Sequence, residues 1–144
     1  MRLLVSLSLT LFLSGCAAFF WPHRVQRTPE VSGVVFSEGT PVAGAVVHIH
    51  HTLTTKQCGP SKLFATTDSQ GEFSFKGRKE LELLVVIGDR PDRWALCIES
   101  NGEFIDGWRA IGVGCPPQRI SFTCDLQADS QPALRGSGIC RPEA

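Results

Sequence analysis

From residue 31 onward, apolar and polar positions alternate over short stretches, and Gly, Pro, Asp or Asn separates each stretch from the next. In the stretch 45–51, Val47 and Ile49 alternate with His48 and His50, which is typical of a strand with one buried and one solvated face. No stretch of this region repeats its apolar positions with a sustained helical period. The pattern therefore predicts an all-β domain with strands at about 31–36, 45–51, 63–67, 72–76, 81–87, 93–100, 103–111 and 118–125.

The start of the chain follows a different pattern. Arg2 gives a positive beginning, an apolar run covers 3–13, and the sequence Leu-Ser-Gly-Cys ends at Cys16. This order is typical of an export signal, and the apolar run is too short for a permanent membrane-spanning helix. The last four residues resemble the lipobox of bacterial lipoproteins, in which a peptidase cleaves before a cysteine that carries diacylglycerol. The resemblance implies a signal peptide over 1–15 and lipidation of Cys16, which palmitate would label.

The residues after Cys16 bear on location. In bacterial lipoproteins, an Asp directly after the lipidated Cys usually marks retention in the inner membrane. Here Ala17 and Ala18 follow instead. The resemblance therefore implies an outer-membrane protein that faces the periplasm and contacts the membrane through its lipid anchor.

The rest of the chain divides into three segments. Residues 16–29 are predicted as a lipidated tether, because 23–29 show no apolar period and end in Pro. The alternating pattern defines a β domain over 30–126. Residues 127–144 are predicted as a polar tail, which a disulfide through Cys140 would hold to the domain.

Two motifs at the start of the domain narrow the fold. The sequence Gly-Thr-Pro-Val-Ala-Gly-Ala-Val-Val occupies 39–47, and Thr-Thr-Asp-Ser-Gln-Gly-Glu-Phe occupies 66–73. In these turns we expect Asp68 to accept amide hydrogen bonds and Gly44 and Gly71 to take positive φ. The motifs resemble carboxypeptidase regulatory-like domains, which are transthyretin-like (prealbumin-like) Greek-key β-sandwiches. The resemblance implies a sandwich of about seven to eight strands that serves as a non-catalytic scaffold or binding module.

The cysteine content points to disulfides. In an exported chain, disulfides form and persist, and with Cys16 lipidated five cysteines remain. None of them is close enough in sequence to another for one turn to supply two zinc ligands, so we expect structural bridges and no metal. Two bridges leave one free thiol, and spacing does not choose among the possible pairings. The candidates are Cys58, Cys97, Cys115, Cys124 and Cys140.

A hairpin signal at Asn101-Gly102 predicts a strand register. With these as the two turn residues, Ile98 lies opposite Ile105 and Trp94 lies opposite Arg109. The core face would then carry Trp94, Leu96, Ile98 and Ile105. The other face would be aromatic and acidic, with Glu99, Phe104, Asp106 and Trp108. Either the tail covers this second face or it is an interface, in which Phe104 and Trp108 are the anchors.

Charge and missing motifs restrict the function. The chain has 14 basic and 14 acidic residues, so no long-range field indicates nucleic acid. It has no Tyr, no phosphate-binding loop and no complete catalytic motif, and His48 with His50 supplies only two ligands for a metal. These features predict a protein that is not an enzyme and needs no cofactor. The turn residues Arg90 and Arg93 are candidates for steering a partner.

These observations predict a non-enzymatic, periplasm-facing lipoprotein that acts as a protein-binding module. A recurring role of small periplasmic lipoproteins of this kind is immunity, in which the lipoprotein neutralises a toxin effector delivered by a type VI secretion system. The alternative is an envelope-structural or glycan-binding lipoprotein, in which exposed aromatic rings would stack on sugars.

Overall fold

A computed structural model describes residues 18–50, 58–86, 91–110, 112–113, 117–133 and 136–143. The predicted signal peptide, Cys16, Arg90 and Cys115 lie outside these residues. Within them the chain is all-β and contains no helix. Its strands are β1 (Ala18–Thr28), β2 (Glu30–Ser37), β3 (Thr40–Pro41), β4 (Val46–His50), β5 (Phe64–Thr66), β6 (Glu72–Phe75), β7 (Arg78–Val86), β8 (Pro91–Asp92), β9 (Ala95–Ser100), β10 (Glu103–Ala110), β11 (Gly112–Val113), β12 (Arg119–Asp125), β13 (Gln131–Ala133), β14 (Gly136–Gly138) and β15 (Cys140–Pro142).

Two larger sheets organise the domain. A six-stranded sheet has the order β13-β14-β10-β9-β4-β5, and a five-stranded sheet has the order β15-β12-β2-β3 with β6 also paired to β2. Strands β2 and β12 run parallel, whereas the pairs of the six-stranded sheet are antiparallel. Two smaller ribbons, β1 with β7 and β8 with β11, are not paired with the strands of either larger sheet. All eight strands predicted from the alternating pattern are present.

One hydrophobic cluster joins the two larger sheets. The alternation in β4 and β9 turns their apolar side chains to the same side, where they meet residues of β2 and β12. Phe122 lies at the centre, with its ring centroid 6.1 Å from that of Trp94 and 5.3 Å from that of Trp108. The fully buried members of this cluster include Val31, Val35, Val47, Leu96, Ile98 and Phe122.

The turn before β6 has the hydrogen bonds that its sequence predicts. Asp68 Oδ1 accepts from the amide of Gln70 at 2.8 Å and from that of Glu72 at 2.9 Å. Gly71 has φ +73° and Gly44 has φ +79°, the left-handed region that favours glycine. The predicted roles of Asp68 and both glycines are therefore confirmed.

Asp68→Ala is expected to lower the free energy of unfolding by about 1 kcal/mol, because two turn amides lose their acceptor at an exposed site. Urea denaturation measures the difference. Ser69→Ala in the same turn is the control and should change stability by less than about 0.5 kcal/mol. Equal effects of the two substitutions would contradict the role of the Asp68 carboxylate.

The segment predicted as a tether contains a strand. Residues 23–28 belong to β1, which pairs with β7 from Ala18 opposite Val86 to Thr28 opposite Arg78. The expectation of a linker is therefore wrong for these residues. The backbone pairs across the ribbon although the side chains lack an alternating apolar period, because strand pairing requires only a partner strand.

The polar tail extends both sheets. Strand β14 pairs with β10, and β15 pairs with β12. A disulfide joins Cys124 to Cys140, which confirms the expectation that a bridge holds the tail to the domain. At the end of the chain, the Thr123 hydroxyl donates to Glu143 Oε1 at 2.6 Å and, with Ser121, lowers the pKa of that carboxyl from its ordinary value.

The hairpin register is confirmed at its turn and wrong beyond it. Ile98 lies opposite Ile105 as predicted. A β-bulge between Asp106 and Trp108 then inserts one extra residue, so that Arg109 lies opposite Ala95. The bulge turns Trp108 into the core, where only 2% of the residue is exposed. The prediction that Trp108 lies on the partner-facing side of the sheet is therefore wrong.

Candidate functional site

The side of the six-stranded sheet away from the core carries the site, and we call it the outer face. Strand pairing places its side chains in two neighbouring rows. One row runs from β5 to β10 through Phe64, His48, Cys97 and Asp106. In the next row, Glu99 lies opposite Phe104. Because successive side chains of a strand point to opposite sides, these residues share a face that Val47 and Ile98 do not.

His48 is the buried centre of the outer face, with 5% of the residue exposed. Its Nδ1 accepts a hydrogen bond from the Ser61 amide at 3.1 Å, so this nitrogen carries no proton. Its Nε2 lies 3.2 Å from Glu99 Oε2 and donates to that carboxylate. Both ring nitrogens are thus engaged in hydrogen bonds within the outer face.

Two phenylalanines flank the buried imidazole. The Phe64 ring centroid lies 6.0 Å from that of His48, and the Phe104 centroid lies 5.7 Å from it. Phe64 is 60% exposed and Phe104 is 38% exposed. The outer face therefore presents two accessible aromatic rings on either side of a histidine that water barely reaches.

Carboxylates border these rings. The Glu99 side chain is 36% exposed and the Asp106 side chain is 45% exposed. Arg109 Nη2 donates to Asp106 Oδ1 at 2.7 Å. Arg93 is exposed just before β9. The two phenylalanine rings are thus bordered by two carboxylates, and the Asp106 carboxylate is paired with Arg109.

A disulfide fixes the chain that crosses one side of the outer face. Cys58 is bonded to Cys97 on β9, with Cα atoms 5.5 Å apart. Beyond the bridge, Gly59 O lies 3.0 Å from His50 Nε2, and the Ser61 hydroxyl donates to Ile49 O at 2.8 Å. These contacts hold the segment 58–61 against β4.

The groups of the outer face do not form a metal or nucleophile site. The ligand atoms of Cys58, Cys97 and Asp106 lie within 4.8 Å of one another, but the two sulfurs are bonded to each other and are not thiolate ligands. Ser61 meets His48 through its amide, and its hydroxyl is directed to Ile49 O. What the arrangement offers is a contact surface with a cross-linked, hydrogen-bonded border.

The structure brings together Phe104, Glu99 and Asp106 from the predicted interface and removes Trp108. It adds His48 and Phe64, which the sequence analysis did not place there. The alternation in β4 already indicated that His48 lies opposite the core, but nothing local showed which strand lies beside it. Phe64 joins the patch only through the pairing of β5 with β4.

A polar cleft of about 600 Å³ lies on another part of the surface, where β5 approaches β6. Its lining includes hydroxyl and carboxylate side chains from both larger sheets. Ser32 lies opposite both Ser74 and Ser121, which gives a row of three serines across the five-stranded sheet. The other polar lining residues are Thr66, Asp68 and Glu72.

The architecture is that of an all-β, disulfide-containing domain, which is typical of proteins that fold outside the cytoplasm. Residues 31–129 match the family model described as a domain of unknown function, DUF6795. This match covers more than half of the chain, and the protein belongs to this family. A search of curated proteins finds no match. In the described ranges, no helix has the length and apolar character required to span a membrane.

Proposed function

We propose that this chain is an outer-membrane lipoprotein facing the periplasm, and that its domain is a non-enzymatic protein-binding module. The observation that carries the proposal is the pair of exposed phenylalanines around buried His48, on a sheet to which a disulfide bonds the segment at Cys58. The partner class we infer is a toxin effector of a type VI secretion system, which the lipoprotein would neutralise as an immunity protein.

The proposed scaffold is a transthyretin-like Greek-key sandwich. The turn of 66–73 has the conformation expected of that resemblance, and two sheets share one core. In a sandwich of this kind the apolar side chains pack between the two sheets. The outer side of each sheet is therefore available for binding.

The outer face has the physical properties of a protein interface. Aromatic anchors contribute most of the binding energy at such surfaces, and a preorganised surface loses little conformational entropy on binding. Phe64 and Phe104 rest against a histidine whose two nitrogens are hydrogen-bonded, so their positions are supported from below. The carboxylates of Glu99 and Asp106 complement a basic surface on the partner, which would speed encounter.

Phe104→Ala and Phe64→Ala are each expected to weaken binding of a toxin effector, which a neighbouring gene would encode under this proposal, by about 30-fold, equivalent to about 2 kcal/mol. Titration calorimetry with the purified toxin measures the affinity. Leu81→Ala is the matched control, since Leu81 is 66% exposed on β7 and lies outside the outer face.

Glu99→Gln adds a test of the acidic border. The glutamine oxygen still accepts from His48, so the variant should keep the fold while the association rate falls and loses part of its salt dependence. A toxin that binds wild type and both phenylalanine variants with equal affinity would exclude the outer face as its binding site.

The polar cleft favours the alternative function, glycan binding. Its serine hydroxyls and the Glu72 carboxylate are groups that hydrogen-bond sugar hydroxyls. Titration with soluble peptidoglycan fragments separates the two functions. Binding that Ser32→Ala weakens and Phe104→Ala leaves unchanged would support the glycan alternative.

A further inference from the structure

Neither β1 nor β7 pairs with a strand of the two larger sheets. The two strands pair only with each other among the described strands. A two-stranded ribbon is marginally stable in water and usually requires packing against another surface. The ribbon therefore raises the question of what it contacts.

One half of the ribbon is apolar and exposed. Among the described residues, seven large hydrophobic side chains are exposed, and four of them lie on β1 and β7. Phe20 is 71% exposed and Trp21 is 68% exposed, and across the ribbon Leu81 is 66% and Leu83 is 50% exposed. This end of β7 continues with the sequence Leu-Val-Val.

The other half of the ribbon is charged and attached to the domain. This half begins at the pair of Arg24 with Leu81. Beyond it Arg78 and Lys79 are exposed, and Arg78 pairs with Glu80 at 2.8 Å. Gln26 Nε2 donates to Gln118 O at 3.0 Å, and Thr28 is buried. The eleven residues of β1 span about 33 Å when extended. Along this length the ribbon changes from charged, where it is attached to the domain, to apolar at its other end.

The apolar end is the end next to the proposed lipid anchor. Strand β1 begins at Ala18, two residues after Cys16, and two residues of chain reach at most about 7 Å. A diacylglycerol on Cys16 would therefore hold the exposed rings of β1 at the bilayer surface. Strand pairing places Leu83 beside these rings, between the pairs Phe20–Leu84 and His23–Glu82, although it lies far from Cys16 in sequence. Leu81 lies one step farther from the anchor, opposite Arg24.

We propose that the apolar end of the β1–β7 ribbon inserts into the surface of the lipid bilayer beside the anchor. Trp21 lies at the level of the headgroups, which amphipathic aromatic rings favour, and Arg24 contacts lipid phosphates. The ribbon then acts as a second attachment, which orients the domain on the membrane. This inference rests on the lipid-anchor part of the proposed function.

Tryptophan fluorescence in vesicles tests the insertion. The lipidated protein is reconstituted in phosphatidylcholine vesicles with or without bromine on the acyl chains, because bromine quenches only a tryptophan that reaches the chains. A Trp21→Phe background leaves Trp94 and Trp108, which are 1% and 2% exposed in the domain core. In that background, Leu83→Trp and Leu81→Trp place reporters on β7, and Phe64→Trp is the matched control at an exposed site of the outer face.

The reporter at 83 should lose about half of its emission in brominated vesicles, and the reporter at 81, which lies opposite Arg24 at the level of the phosphates, should lose less. The reporter at 64 should not change. Both β7 sites are at least half exposed, so a tryptophan fits, and near-ultraviolet circular dichroism verifies the fold. Absence of quenching at both β7 positions in vesicle-bound, lipidated protein would overturn the insertion and leave the anchor intact. A palmitate label that is absent from wild type, or that persists in Cys16→Ser, would instead overturn the anchor and this inference with it.

Discussion

Trp108→Ala is expected to lower the free energy of unfolding by about 3–5 kcal/mol. The side chain is 2% exposed, and its ring lies against Phe122 at a centroid distance of 5.3 Å. Gly136 lies so close beneath it that a Cβ there would come within 2.5 Å of the indole. Removal of the ring therefore leaves a cavity that the neighbouring strands cannot close without breaking their pairing.

Phe104→Ala is the matched control for this substitution. It removes a ring from the same strand, but on the outer face and at 38% exposure, so the loss should stay near 1 kcal/mol. Urea denaturation of both variants gives the comparison. A larger loss for Phe104→Ala than for Trp108→Ala would mean that the core lies on the Phe104 side of β10, which would contradict the structure.

Loss of both disulfides is expected to lower the melting temperature by about 15 °C or more. The bridge Cys58–Cys97 closes a separation of 39 residues and Cys124–Cys140 one of 16. In the loop-entropy description these lengths correspond to about 4 and about 3 kcal/mol. Reduction should therefore remove a large part of the stability of a domain of this size.

Two measurements verify the bridges behind this effect. The unfolded, unreduced and lipidated chain should show about one titratable thiol, since four of its five remaining cysteines are bonded. The variant with Cys58→Ala and Cys97→Ala isolates the second bridge, and reduction should still lower its melting temperature. Five titratable thiols in the wild-type chain would mean that neither bridge forms.

Local sequence patterns predicted eight of the fifteen strands of the described residues, and in the site they misplaced Trp108. Alternation and turn residues are local, so they located all eight predicted strands. Gly107 reads as an ordinary strand position, yet it marks the bulge that turns Trp108 inward. An isolated glycine within a strand pattern indicates a bulge. A bulge at Gly107 shifts the predicted register of all residues beyond Asp106.

The sequence alone could not predict which distant segments pair, and the reason is physical. Cysteine spacing does not determine which cysteines meet, because strand order brings Cys58 to Cys97 across 39 residues. Strand β1 likewise pairs with β7, which is distant in sequence. The polar residues in the second half of β1 lack the alternating pattern by which a strand is recognised. Phe64 likewise lies beside His48 only because its strand, β5, pairs with β4.

The bond between Cys58 and Cys97 makes the outer face a product of the compartment in which the chain folds. A chain under reducing conditions lacks this bond, and only hydrogen bonds to β4 then hold the segment 58–61 beside His48. If the chain is exported as proposed, the outer face would therefore reach its final, cross-linked form only after oxidation outside the cytoplasm.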